Sequence, residues 1–187
     1  MWSRINKFFG RQDLGELNYR ISRLEAKEAV LSAFNRYLYS LDTGFKEDIL
    51  DCYTSDAVLD VPNFPDAGGA DLHFEGRDQI APLYEPYGNR EPGIGGGHHS
   101  ANIAININLS AKKAEVTSYF MTGTNNGVQG GRYEGVMRQE NDGIWRWETL
   151  SITSAWGWRV AEFETISDAV TLKYSPFNGR HAAYREP

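Results

Sequence analysis

The segment SANIAININL, residues 100–109, alternates without a break: Ile103, Ile105, Ile107 and Leu109 fall on one side, Asn102, Asn106 and Asn108 on the other. A period of two marks a strand with one buried and one wet face. Three more segments continue the pattern: KAEVTSYFMTGT, GGRYEGVMRQEN and GIWRWETLSITSAWGW. Asn141-Asp142-Gly143 between the last two is a strong hairpin signal. A sheet built this way needs a cover for its apolar face. The cover precedes it in the chain, because RISRLEAKEAVLSAFNRYLYSL contains no Gly or Pro and reads as a helix from about Ile21 to Leu41, stopped by Thr43-Gly44. Helices first and antiparallel strands after predict an α+β fold.

Between these halves, KEDILDCY reads as a short helix and AVLDVP as a strand ended by Pro62. LHFEG gives a short strand and RDQIAPLYE a third helix, while residues 86–97 are too rich in Gly and Pro for regular structure. The expected organisation is an arm over residues 1–20, one domain over 21–163, and a polar tail over 164–187 that wraps the surface or reaches a neighbour.

The 187 residues suit a single domain with a substantial core. A net charge of −6 argues against nucleic acid as a partner, since phosphate binding wants a basic face. Cys52 is the only cysteine, so neither a disulfide framework nor a Cys-based zinc site is expected. No apolar run is long enough to span a membrane, and the cluster Phe8-Phe9 is too short for a secretion signal. These points predict a cytoplasmic protein without a membrane partner. For Trp2, Ile5, Phe8 and Phe9, packing on a neighbouring subunit or disorder is expected ahead of membrane contact.

Chemistry enters at Asp42. Leu24, Leu31 and Leu38 recur every seven residues, and Asp42, four after Leu38, falls back on their meridian. It is a cap, a surface residue beyond the helix end, or an acid set at the edge of a core. A buried carboxylate is costly unless paired, and a histidine partner would satisfy it while making a general base. His98 and His99 stand at the start of the first long strand. Alternation backward from Ile103 puts His99 on the apolar side and His98 with Asn102, unless a bulge intervenes.

Second-rank candidates for contact with a small molecule are His99, Tyr119, Asn102 and Trp156. Trp145/Trp147 and Trp156/Trp158 each share a strand face, as core, as subunit interface, or as a surface for an aromatic ligand. Tyr39, Tyr53, Tyr119 and Tyr133 are weaker site candidates, with core or dimer packing the expected role of each. His73 and His181 are isolated and receive no role. Neither metal nor cofactor is expected: adjacent strand histidines diverge, and GIGGG is followed by no phosphate-binding helix, so it reads as the mouth of a pocket.

The motifs LEAKEAV, RYLYSLDTG, CYTSDAVLDVP, FEGRDQI, HHSAN, AEVTSYFM, GGRYEGVMRQENDGIWRW and SAWGW occur in that order. Over roughly Ile21 to Phe163 the chain thereby resembles the SnoaL-like branch of the nuclear transport factor 2-like superfamily. The resemblance implies a cone: a curved antiparallel sheet with N-terminal helices enclosing an apolar pocket. The nearest pattern is that of cofactor-independent lyases of the scytalone dehydratase, bile-acid 7α-dehydratase and dehydrochlorinase types. These have an aspartate ending the first long helix and a histidine opening the strand after the Gly-rich loop, which implies Asp42 and His98, with His99 lining the pocket. Tyr37, five residues before Asp42, matches a functional tyrosine of the bile-acid type.

The chain departs from two of these types. Tyr119, Met121 or Thr122 stands where the first has a second catalytic histidine, and Gly123 near where the second has a further aspartate. The function implied is loss of a small molecule, such as water or formaldehyde, from a small apolar, aromatic substrate. An isomerase or cyclase using the same base is the nearest alternative. A ligand carrier or a ring-hydroxylating dioxygenase small subunit is the non-catalytic one. A homo-oligomer is implied, a trimer ahead of a dimer.

Overall fold

The computed structural model describes residues 11–64, 69–89, 97–110, 112–124, 127–166 and 169–177. Helix α1 (Arg11–Thr43) starts ten residues before the expected Ile21: Arg11, Gln12, Leu14, Glu16 and Leu17 are good helix formers, and Gly15 among them costs about 1 kcal/mol. Its core face is Val30, Ala33, Phe34, Tyr37 and Leu41. The leucine meridian lies on the flank of that face, with Leu38 buried, Leu31 half-buried and Leu24 exposed. Asp42 therefore rides at the boundary between core and solvent. Helix α2 (Lys46–Leu50) follows and buries Ile49.

Strand β1 (Tyr53–Phe64) outruns the expected stop at Pro62. Proline cannot donate to a ladder, and the pairing with β2 (Ala70–Glu75) shifts register between Val61 and Phe64, so Pro62 and Asn63 (φ 51°) sit in an irregularity and the strand resumes. The expected third helix divides into α3 (Arg77–Ile80) and a 3₁₀ segment, Ala81–Asn89, where Pro82 and Pro86 withdraw backbone donors.

The long strands follow: β3 (His98–Asn108), β4 (Lys113–Thr124), β5 (Gly127–Gln139) and β6 (Trp145–Ile166). Residues read as tail form β7 (Ala169–Phe177), which pairs antiparallel with the far end of β6. The sheet order is β2-β1-β6-β5-β4-β3, with β7 on β6. It is a curved, unclosed sheet under N-terminal helices, the expected α+β cone. One pair, β1 with β6, is parallel, so the sheet is mixed. A parallel neighbour needs a long crossover, here the whole excursion through β2 to β5, which no local pattern announces.

The core between α1 and the sheet is aromatic. Phe34 and Tyr37 meet Trp147 and Tyr133 edge to face at centroid distances of 5.9–6.2 Å, and Phe120 stacks on Tyr133 at 4.6 Å. Trp145 and Trp147 are both buried, so this pair is core. Arg146 points the other way and ties the β5–β6 hairpin to the end of α2, donating to Asp51, Glu140 and Asp142. Among the described residues no helix is long and apolar enough to cross a membrane.

Candidate active site

Asp42 occupies the last turn of α1, and Gly44 (φ 76°) turns the chain away behind it. The strand carrying His98 starts beside it. Gly97 (φ 74°) makes the entry in a conformation that favours glycine, and a Cβ there would lie 3.7 Å from both Asp42 Oδ2 and His99 Nε2. His98 donates its backbone N–H to Asp42, 3.0 Å from each carboxylate oxygen, and His98 Nδ1 lies 2.6 Å from Asp42 Oδ1. The His98 side chain is 12% exposed and that of Asp42 30%.

An ionised carboxylate only accepts, so the short contact puts a proton on Nδ1. In the neutral ring Nε2 then carries the lone pair. Among the described residues no hydrogen bond occupies Nε2.

The register of β3 shows which histidine faces in. His98 pairs with Thr122 and Ser100 with Phe120, both buried; His99 pairs with Met121, which is exposed. A bulge lies between Ala101 and Ala104, with Asn102 at φ 54°. The extra residue shifts the phase, so His98 and Ser100 share a face with Ile103, Ile105 and Ile107 despite the odd spacing.

Asp42, His98, His99, Leu38, Tyr39 and Ile103 line a cleft of about 330 Å³ between α1 and the start of β3. Tyr119, Asn102 and Trp156 are not brought to it. Tyr119 (56% exposed) and Trp156 (42% exposed) stand on the outer face of the sheet, and Asn102 is exposed in the bulge. His99, Met121, Gly130 and Trp156 form one cross-strand row on that outer face, where the absent side chain of Gly130 leaves room for the Trp156 ring. The side chain of Trp158 lies outside the described residues. Alternation identifies two faces of a strand but not which is inside when both carry apolar residues.

Tyr37 is fully buried and joins a phenol cluster absent from the sequence reading. Its hydroxyl is 3.2 Å from that of Tyr84 and accepts from Tyr53 at 3.3 Å; Tyr53 and Tyr84 are 2.6 Å apart. Burial, reinforced by neighbouring phenols, pushes the Tyr37 and Tyr53 hydroxyls well above their ordinary value, so both stay protonated. Tyr53 is a weaker candidate in the sequence, with packing ahead of a site role, and Tyr84 lies in the 3₁₀ segment with no pattern to mark it.

Among the described residues no group of three or more His, Cys, Asp or Glu converges to hold a metal ion. Asp42 and His98 supply two donors already engaged with each other.

The sequence profile of the SnoaL-like domain matches residues 22–163. The chain belongs to the SnoaL-like family. Solved structures similar to this SnoaL-like protein include a putative scytalone dehydratase from Novosphingobium aromaticivorans DSM 12444, 21% identical, with 74% of this chain and 89% of that chain covered and a TM-score of 0.58. Hexachlorocyclohexane dehydrochlorinase LinA-type3 from Novosphingobium barchaimii LL02 is 15% identical, with 79% and 98% covered and a TM-score of 0.58. ActVI-ORFA from Streptomyces coelicolor is 16% identical, with 68% and 96% covered and a TM-score of 0.52. At such identities these likenesses show the SnoaL-like fold. No curated protein matches the sequence. The SnoaL-like match begins at residue 22, so the first turns of α1 lie outside the family domain.

Proposed function

We propose that this SnoaL-like protein is a cofactor-independent lyase that eliminates a small molecule, such as water or formaldehyde, from a small apolar, aromatic substrate. The observation that carries the reading is the 2.6 Å contact between Asp42 Oδ1 and His98 Nδ1 at the edge of a cleft. His98 Nε2 takes a proton from substrate carbon, and the electron pair of the broken C–H bond forms the new double bond as the bond to the leaving group breaks. Asp42 holds the tautomer and stabilises the imidazolium, the orienting role of a catalytic dyad. The imidazolium of His98 returns that proton to the departing group; Tyr37, the sequence candidate for this step, is fully buried with its hydroxyl between Tyr53 and Tyr84 and does not line the cleft. In retro-aldol release of formaldehyde His98 takes the proton of a hydroxyl, whose electron pair forms the formaldehyde carbonyl as the C–C bond breaks, and the carbon left with the C–C pair takes the proton back from the imidazolium.

Two similar structures carry the names of eliminating enzymes, a dehydratase and a dehydrochlorinase, which supports elimination over isomerisation through the same base. A ligand carrier or dioxygenase small subunit would have no need of the Asp42–His98 contact. The reading includes a cytoplasmic homo-oligomer, a trimer as in the lyases the sequence resembles.

The test is a screen of hydroxylated, alkoxylated and halogenated aromatic and polycyclic compounds, with mass spectrometry of products. Elimination that survives exhaustive dialysis and chelator and is lost in His98→Ala supports the proposal. Full activity in both His98→Ala and His99→Ala removes the dyad from it.

A further inference from the structure

The first half of α1 leaves the body of the protein. Residues 14–25 are all exposed, and contact with the core starts at Ala26 and Val30. A free helix of about 15 residues is marginal in water, yet this one carries an apolar stripe: Leu14 (60% exposed), Leu17 (50%), Ile21 (43%) and Leu24 (66%). Their spacing of three, four and three residues is the a/d pattern of a two-stranded seam. At about 100° per residue the stripe lies on the side of the helix opposite Val30, Phe34, Tyr37 and Leu41, so this chain's own sheet cannot cover it.

The charges indicate what does. Over residues 11–28, Arg11, Arg20, Arg23 and Lys27 balance Asp13, Glu16, Glu25 and Glu28. A helix without net charge gains nothing electrostatically from an anionic lipid surface. The same charges match a second copy. With Leu14 and Ile21 at a, and Leu17 and Leu24 at d, Arg20 falls at g and Glu25 at the following e. A parallel, in-register pair therefore sets Arg20 against Glu25 of the other copy on both sides of the seam, whereas an antiparallel pair sets Arg20 against Arg20 at its middle. Ile21 at a with Leu24 at d is the two-strand pairing, in one of the two layers of the seam. Glu28, at the next a position, ends the seam where the two bodies begin, and those bodies lie on outer sides of the pair.

We propose that residues 11–27 of α1 form a short parallel coiled coil with the same segment of a second copy. This pairing is independent of the lyase reading and of any contact made through the sheet, which it would join two by two.

Sedimentation of the full chain tests it, with helicity followed by circular dichroism. In Leu17→Glu/Leu24→Glu the mass is expected to fall to about half. In Arg20→Glu or Glu25→Arg the association is expected to weaken by about tenfold or more through like-charge contacts, and to recover in the double exchange. Leu14→Cys is expected to cross-link between equivalent positions on oxidation. An unchanged mass in every variant overturns the proposal. So does a wild-type monomer that binds phosphatidylserine vesicles through the stripe. Halved mass without rescue by the exchange, or cross-linking only between Leu14→Cys and Leu24→Cys chains, overturns the parallel register.

Discussion

Asp42 grips His98 by two groups at once, accepting the backbone N–H at 3.0 Å and meeting the ring Nδ1 at 2.6 Å. The backbone bond pins the start of β3 to the end of α1. The ring bond then orients an imidazole that cannot move independently of the strand. One carboxylate thus positions both the element and the base it carries.

Replacing His98 by Ala is expected to lower kcat by about 10²–10⁴-fold while leaving ligand affinity nearly intact, because the lost interaction acts in the transition state. His99→Ala should cost much less, since His99 lines the cleft from the outer side of the strand. Asp42→Asn should fall between them. Steady-state kinetics on the three variants decides; an active His98→Ala beside an inactive His99→Ala would transfer the role to His99.

Tyr37→Phe keeps the ring that packs on Tyr53, Tyr133 and Trp147 and removes only the hydroxyl between Tyr53 and Tyr84. The expected loss of stability is about 1 kcal/mol, because Tyr53 and Tyr84 keep their mutual bond. Urea denaturation reads that, while kcat is expected to stay within about twofold of the wild type, since the hydroxyl does not line the cleft. A stable variant with a large loss of kcat would instead place the Tyr37 hydroxyl at the departing group.

Tyr119→Ala and Trp156→Ala are expected to leave kcat/KM within about twofold of the wild type, since both stand on the outer face, away from the cleft. Gly130→Ala should instead destabilise by about 1–3 kcal/mol, because its Cβ collides with the Trp156 ring. A large loss of substrate affinity in Trp156→Ala would show that the outer face takes part in binding.

Acid should weaken the fold through two carboxylates. Burial pushes Asp51 up, but the Arg36 and Arg146 guanidiniums outweigh it and hold the carboxyl below its usual range; Arg138 brings Asp56 down to about 2. A depressed folded-state value means the stabilisation is fully present above the unfolded-state value, near 3.8, and is lost as pH falls through the folded one. Both side chains are more than a third exposed, at 45% and 64%, so each contribution is below about 1 kcal/mol. Asp51→Asn and Asp56→Asn should flatten the fall in melting temperature below about pH 4. An unaltered acid limb in the double variant would refute this.

The alternation of β3 to β6 and the Gly-free run of α1 made the α+β architecture legible, because both are local periodicities that any covering element must respect. The helix begins at Arg11 and not at Ile21 because the break that Gly15 makes in the local pattern costs only about 1 kcal/mol. β7 is hidden in the sequence because the polar residues and Pro176 of AVTLKYSPF mask its alternation.

What the sequence by itself determined was the set of parts: an apolar helix ending in an acid, histidines opening a strand, and strands with an inner and an outer face. Only the tertiary structure decided how they meet. Asp42 and His98 are 56 residues apart, and their contact depends on where α1 lies across β3. Which histidine faces in depends on one extra residue, Asn102 in the bulge, since a phase shift of one in a period of two inverts every side chain before it. Tyr37, Tyr53 and Tyr84 arrive from a helix, a strand and a 3₁₀ segment, and only closure of the core places three phenols within hydrogen-bonding distance.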